Sequence, residues 1–103
     1  MNSNFEYYKV FYYVAKYENL TKASSVLKTS QPAVTRTIHN LENELGCRLF
    51  TRSKSGMKLT PEGRTFYSYV SAGCAQFFKG ENDLSNLISL ENLSLIHISE
   101  PTR

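Results

Sequence analysis

Between Ser30 and Arg36 stand Gln31, Pro32, Ala33 and Thr35, and the chemistry these side chains offer is recognition of flat polar edges. Glutamine can bond adenine N6 and N7 together, and arginine can do the same with guanine O6 and N7. Either residue can instead meet a phosphate, where many protein–DNA contacts fall. Pro32, Ala33 and Thr35 offer small apolar surfaces suited to thymine methyls, and the Ser30 and Thr35 hydroxyls suit phosphates. His39, one turn further on, suits a backbone or water contact better than a base. Reaction chemistry finds no comparable set. No nucleophile sits beside a base, no ligand spacing for a metal occurs, and Glu42 and Glu44, two apart on a helix, point different ways. The chain reads as a non-enzyme, and no cofactor or metal is expected in this fragment.

These residues need a helix that shows one end to a partner, and residues 30–46 provide it. Ser30 can cap the orphan amides of a first turn, and Pro32 is tolerated there. Val34, Ile38, Leu41 and Leu45 recur on one face, and Gly46 ends the run. The residues left outside lie near the helix start, which is how a recognition helix addresses a major groove. Before it, Phe5, Tyr8, Phe11, Tyr12 and Ala15 predict a first helix over about residues 4–17. That aromatic stripe is read as core rather than as a stacking platform. Asn19 caps a short second helix with Leu20, Ala23, Val26 and Leu27 inward, and Lys28 and Thr29 make a tight turn.

After Gly46, residues 47–52 and 57–60 flank residues 53–56 and predict a β-hairpin with Gly56 in the strained turn position. Arg52 and Lys54 on this wing would reach neighbouring phosphates or a minor groove. Lys22, Lys28 and Lys58 carry weaker claims. Val34, Ile38, Leu41, Leu49, Phe50 and Leu59 are expected in the core. Thr60, Pro61 and Glu62 restart a helix, continuous through Gly80 or broken there. Phe66, Val70, Gly73 and Phe77 recur at i, i+4, i+7, i+11, with Leu84, Leu87 and Ile88 beyond. This stripe is wider than a small three-helix domain needs, so it is expected to pair with a second copy, Gly73 allowing close approach.

With 103 residues and a net charge of +3, the chain has room for one small domain. The charge is unevenly placed. Residues 20–64 hold Lys22, Lys28, Arg36, Arg48, Arg52, Lys54, Lys58 and Arg64 against Glu42, Glu44 and Glu62, the footprint of a polyanion partner. Cys47 and Cys74 are read as reduced, buried apolar residues of a cytoplasmic protein. The start lacks the plan of a signal peptide, and no apolar run approaches the ~20 residues a bilayer requires, so no membrane partner is expected. The segment from Leu93 to Arg103 resembles the translation of a sequencing adapter read past the end of a gene. It is set apart as non-native, His97 with it, and the natural protein is expected to continue beyond Asn92.

Helix, helix, recognition helix, hairpin, long helix is the order of a winged helix-turn-helix, a mainly α fold with a three-helix core. The particular residues resemble the N-terminal DNA-binding domain of LysR-type transcriptional regulators. The stretches that carry the likeness are Thr21-Lys22-Ala23, Ser30-Gln31-Pro32-Ala33-Val34-Thr35-Arg36, Leu41-Glu42-Asn43-Glu44-Leu45-Gly46, Arg48-Leu49-Phe50-Thr51-Arg52 and Leu59-Thr60-Pro61-Glu62-Gly63. The likeness holds in register over about residues 5–75. Cys47, where the family usually has an aliphatic residue or proline, and His39, often arginine or lysine there, depart from it. The resemblance implies a homodimer that recognises double-stranded operators of imperfect dyad symmetry. It divides the chain into a winged domain at 1–60 and a linker or dimerisation helix at 61–92. A larger effector-binding domain, with any small-molecule inducer, is implied beyond the fragment. The competing reading is a winged helix used for protein–protein or RNA contact.

Overall fold

The computed structural model describes residues 5–99, and the side chains of residues 5–92. Six elements follow in order: α1 (Phe5–Tyr17), α2 (Leu20–Leu27), α3 (Gln31–Leu45), β1 (Phe50–Ser53), β2 (Gly56–Leu59) and α4 (Pro61–Ser99). The chain divides after Ala72 into two compact units. The segment set apart as non-native lies outside the described residues, except for its helical backbone as far as Ser99.

α1 forms around its apolar positions and lies at the heart of the first unit. Val10, Phe11, Val14 and Ala15 are buried. The Phe11 ring lies 5.4 Å from Phe50 and 5.3 Å from Phe66, within the range of favourable tilted aromatic pairs. The buried face is thus rotated from the expected aromatic stripe. Phe5 is exposed and the tyrosines of α1 stay half-buried, while Val10, Phe11, Val14 and Ala15 fill the interior.

α2 starts where Asn19 accepts a hydrogen bond from Lys22 N at 2.8 Å. It ends at Lys28, whose φ of 58° is left-handed. Ala23 and Ser24 are buried, and the Ser24 hydroxyl donates to Thr21 O at 2.9 Å. Val26, expected inside, is exposed. At 100° per residue the face shared by Leu20, Ala23, Ser24 and Leu27 turns it outward. α3 begins on Ser30, whose hydroxyl accepts from Ala33 N at 3.2 Å, and stops at Gly46, with φ of 77°. Val34, Ile38 and Leu41 are buried as expected, and Leu45 is half-buried.

β1 and β2 pair antiparallel with Phe50 opposite Leu59 and Arg52 opposite Met57. The strand starts three residues later than expected. Residues 47–49 are held otherwise, Leu49 donating to the Glu42 carboxylate and accepting from Thr60 N at 3.0 Å. Leu49, Phe50 and Met57 are buried, whereas Leu59, expected in the core, is half-buried. Gly56 has φ of 125°, and a side chain there would run into the Glu18 carbonyl oxygen. Met57 N donates to that same oxygen at 3.2 Å, so the hairpin lies directly on the end of α1.

α4 is continuous through Gly80. Its cap is Thr60, whose hydroxyl accepts from Gly63 N at 2.9 Å and donates to Arg48 O at 2.6 Å. Phe66 pairs with the rings of Tyr8 and Phe11, and Val70 is buried. Of these two, expected at a dimer seam, Val70 is taken up by the chain's own core and Phe66 is half-buried beside it. Phe77, Leu84, Leu87, Ile88 and Leu90 are exposed. Cys74 is buried as expected; Cys47, expected buried, is half-buried; neither is in a disulfide. Among the described residues no helix is long and apolar enough to cross a membrane.

Candidate nucleic-acid interface

The first turns of α3 carry the candidate reading residues outward. Val34 and Ile38 face the core, and the 3.6-residue period leaves Gln31, Pro32, Arg36 and His39 exposed, with Ala33 and Thr35 half-buried. Gln31, Pro32, Thr35, Arg36 and His39 line an open groove of about 650 Å³, joined there by Arg52 from the wing. Strand alternation brings Arg52 to it. Arg52 follows Phe50 by two residues, so both stand on the same face of the hairpin, and together they line a small cleft with Thr35, Ile38 and His39 of α3. Lys54, at the hairpin tip, lines an adjoining groove with Thr21, Gln31 and Arg52. Ser30 and Ala33 lie outside both grooves; the Ser30 hydroxyl is engaged in the helix cap.

Two features of this surface escaped the sequence reading. The first is Glu42, which is buried. Its carboxylate accepts from Leu49 N at 2.7 Å and from Phe50 N at 3.3 Å, and Arg48 Nε stands 3.7 Å away. It ties the C-terminal part of the reading helix to the root of the wing. The signal was present, since Glu42 falls four residues after Ile38 and eight after Val34, an acid on the apolar face of α3. The second is Thr21, whose hydroxyl accepts a hydrogen bond from Gln31 Nε2 at 2.9 Å. Leu20 and Asn40 also line the main groove, Asn40 donating to the Tyr7 hydroxyl at 3.5 Å.

Lys58 is placed differently from Arg52 and Lys54. Its ammonium lies 3.3 Å from Glu18 Oε2, so part of its charge is already offset. Lys22 lies over the Tyr17 ring, 5.2 Å from its centroid. Among the described residues no group of three or more histidines, cysteines and acids could hold a metal ion.

Three helices with a tight turn before the third, a hairpin beside it and a long helix behind define a winged helix-turn-helix. The family described as bacterial regulatory helix-turn-helix protein, lysR family, matches residues 5–64. The chain belongs to that family. It is 42% identical over 67 residues to the HTH-type transcriptional regulator CitR of Bacillus subtilis, covering 65% of this chain and 23% of CitR. With the HTH-type transcriptional regulator YofA of the same organism it shares 33% identity over 101 residues, 89% of this chain and 35% of YofA. Among solved structures, the BenM DBD in complex with catB site 1 DNA superposes with a TM-score of 0.74 at 31% identity, over 84% of this chain and 98% of that one. The chain thus spans about a quarter to a third of the length of these curated relatives. Those relatives are named as regulators of transcription, not as enzymes.

Proposed function

We propose that the chain binds double-stranded DNA sequence-specifically, as the N-terminal DNA-binding part of a bacterial transcriptional regulator. The observation that carries this reading is the shared groove. Gln31, Thr35, Arg36 and His39 of α3 converge there with Arg52 of the wing, in a chain similar along most of its length to a domain crystallised on DNA. α3 enters the major groove and the wing lies on the flanking backbone or minor groove. Gln31 and Arg36 read bases, Pro32, Ala33 and Thr35 pack against thymine methyls, and Ser30, His39, Arg52 and Lys54 hold the backbone. The work is binding rather than catalysis and takes place in the cytoplasm. A domain at 1–60 followed by a linker at 61–92, with residues 93–103 foreign to it, fits this role. An effector-binding domain and its small-molecule inducer belong outside this sequence.

The reading includes a homodimer. Val70 is buried and Phe66 half-buried against α1, so we place the seam on the exposed apolar residues further along α4. Phe77, Leu84 and Ile88 recur at i, i+7 and i+11, one face of a helix with Leu87 at its margin. Gly73 lies on the same stripe. A second copy of this helix would cover it.

Titration of the chain with duplex DNA at several salt concentrations tests the reading. Affinity should fall steeply with salt, and removing one phosphate-contacting lysine or arginine should lower the slope by about one unit. One duplex from a randomised pool should be preferred over the rest. Salt-independent binding, or tighter binding to RNA of matching sequence, would overturn it.

A further inference from the structure

We propose that Thr21 is a positioning residue for base reading, holding the Gln31 carboxamide in the orientation that meets an adenine edge. The inference rests on the DNA-binding reading and deepens it. Gln31 is the first residue of α3, exposed, with a long side chain that would otherwise sample many rotamers. Its amide nitrogen donates to Thr21 Oγ1 at 2.9 Å across the turn from α2. With one N–H given to Thr21, the nitrogen keeps its second hydrogen and the carbonyl oxygen keeps its lone pairs for a partner. That donor–acceptor pair is the one adenine N7 and N6–H₂ require. The Thr21 backbone is held, since it stands in the first turn of α2 and its carbonyl accepts from the Ser24 hydroxyl at 2.9 Å, and its β-branched side chain has few χ1 rotamers open to it. Both residues line the groove that also holds Arg52 and Lys54, so the tethered amide faces the surface the wing addresses.

The gain is one of order already in place before DNA arrives. Immobilising a long side chain on binding weakens association by roughly two- to ten-fold, and a tether present in the unbound protein removes that penalty. A phosphate contact by Thr21 would strengthen binding to all sequences alike. A positioning role strengthens it only where Gln31 meets its base.

The test uses the whole chain and the duplex it prefers from a randomised pool, together with single-base-pair variants of that duplex and an unrelated one. Gln31→Ala identifies the base pair Gln31 reads, as the position where preference collapses. Thr21→Val, which keeps shape and loses the hydroxyl, should weaken preference at that same base pair by roughly two- to ten-fold. It should leave binding to the unrelated duplex unchanged. Thr21→Ser should restore the preference. Combining Thr21→Val with Gln31→Ala should cost no more than Gln31→Ala alone, the mark of a coupled pair. If Gln31→Ala relaxes a position and Thr21→Val does not, the positioning role is wrong while the DNA-binding reading stands. Equal loss on every duplex makes Thr21 a phosphate contact and overturns it too. Should Gln31→Ala leave preference intact, base reading by Gln31 fails, and the positioning role with it. Unfolding midpoints matching the parent chain assign these changes to the interface.

Discussion

Arg36 shares its groove with Gln31 and Arg52 but answers to a different test from either. If its guanidinium bonds a guanine at two points, Arg36→Ala should cost about 1–3 kcal/mol on the preferred duplex and relax one position per half-site. Fluorescence anisotropy against that duplex and a scrambled one separates the cases, since equal losses on both make Arg36 a phosphate contact. Glu42 belongs to stability instead. Glu42→Ala removes the acceptor of two backbone amides at buried Leu49 and Phe50, and should destabilise the fold by about 1–3 kcal/mol. Glu42→Gln keeps one acceptor oxygen and should lose less. The ion pair with exposed Arg48, at 3.7 Å, adds little by comparison. Urea denaturation of the two variants decides, and an alanine variant as stable as the parent would show the amides finding water at no cost.

At the level of elements, the hairpin depends on a close approach that few residues permit. Gly56→Ala combines an unfavourable φ of 125° with a methyl group directed at the Glu18 carbonyl oxygen. A loss of about 1–3 kcal/mol is expected. Gly80→Ala is the control. It lies inside α4 with no neighbour within reach of the added carbon, and should stabilise by roughly 0.5–1 kcal/mol. Thermal melts of both variants check the pair, and a Gly56→Ala melt equal to the parent's would mean that the wing is held elsewhere. α3 was legible in the sequence to within a residue because Ser30, Pro32 and Gly46 mark its ends and its stripe has one period. The start of β1 was not, because a side chain seven and eight residues away in sequence, the Glu42 carboxylate, holds the amides of residues 49 and 50. In α1 and α2 the expected stripes held Phe11, Ala15 and Ala23 but missed Val10, Val14 and Ser24, because the buried face is rotated from the row of largest side chains. On α4 periodicity gave one stripe and could not say which part the chain itself covers. Phe66, packed on Phe11, and the exposed Phe77 look alike in a sequence.

For the molecule as a whole, the proposed dimer sets the geometry of the DNA site. Two reading helices require half-sites about 10 base pairs apart, or a multiple, centre to centre. Inserting half a turn of DNA between them should abolish tight binding and leave each half-site weakly held. Leu84→Asp or Ile88→Asp should shift the chain towards monomer in sedimentation, because a charge buried in an apolar seam is costly. A parent chain that is monomeric at high concentration, or a dimer indifferent to both substitutions, would place the interface elsewhere. The Glu42 clamp has a consequence for motion as well. Hairpin roots are ordinarily among the first backbone groups to open, yet the Leu49 and Phe50 amides are fastened to the body of α3. Their hydrogens should exchange with solvent as slowly as those of the domain's innermost helical turns, and only when the domain opens globally. Exchange of that kind would make α3 and the root of the wing one rigid body, moved together by whatever moves either.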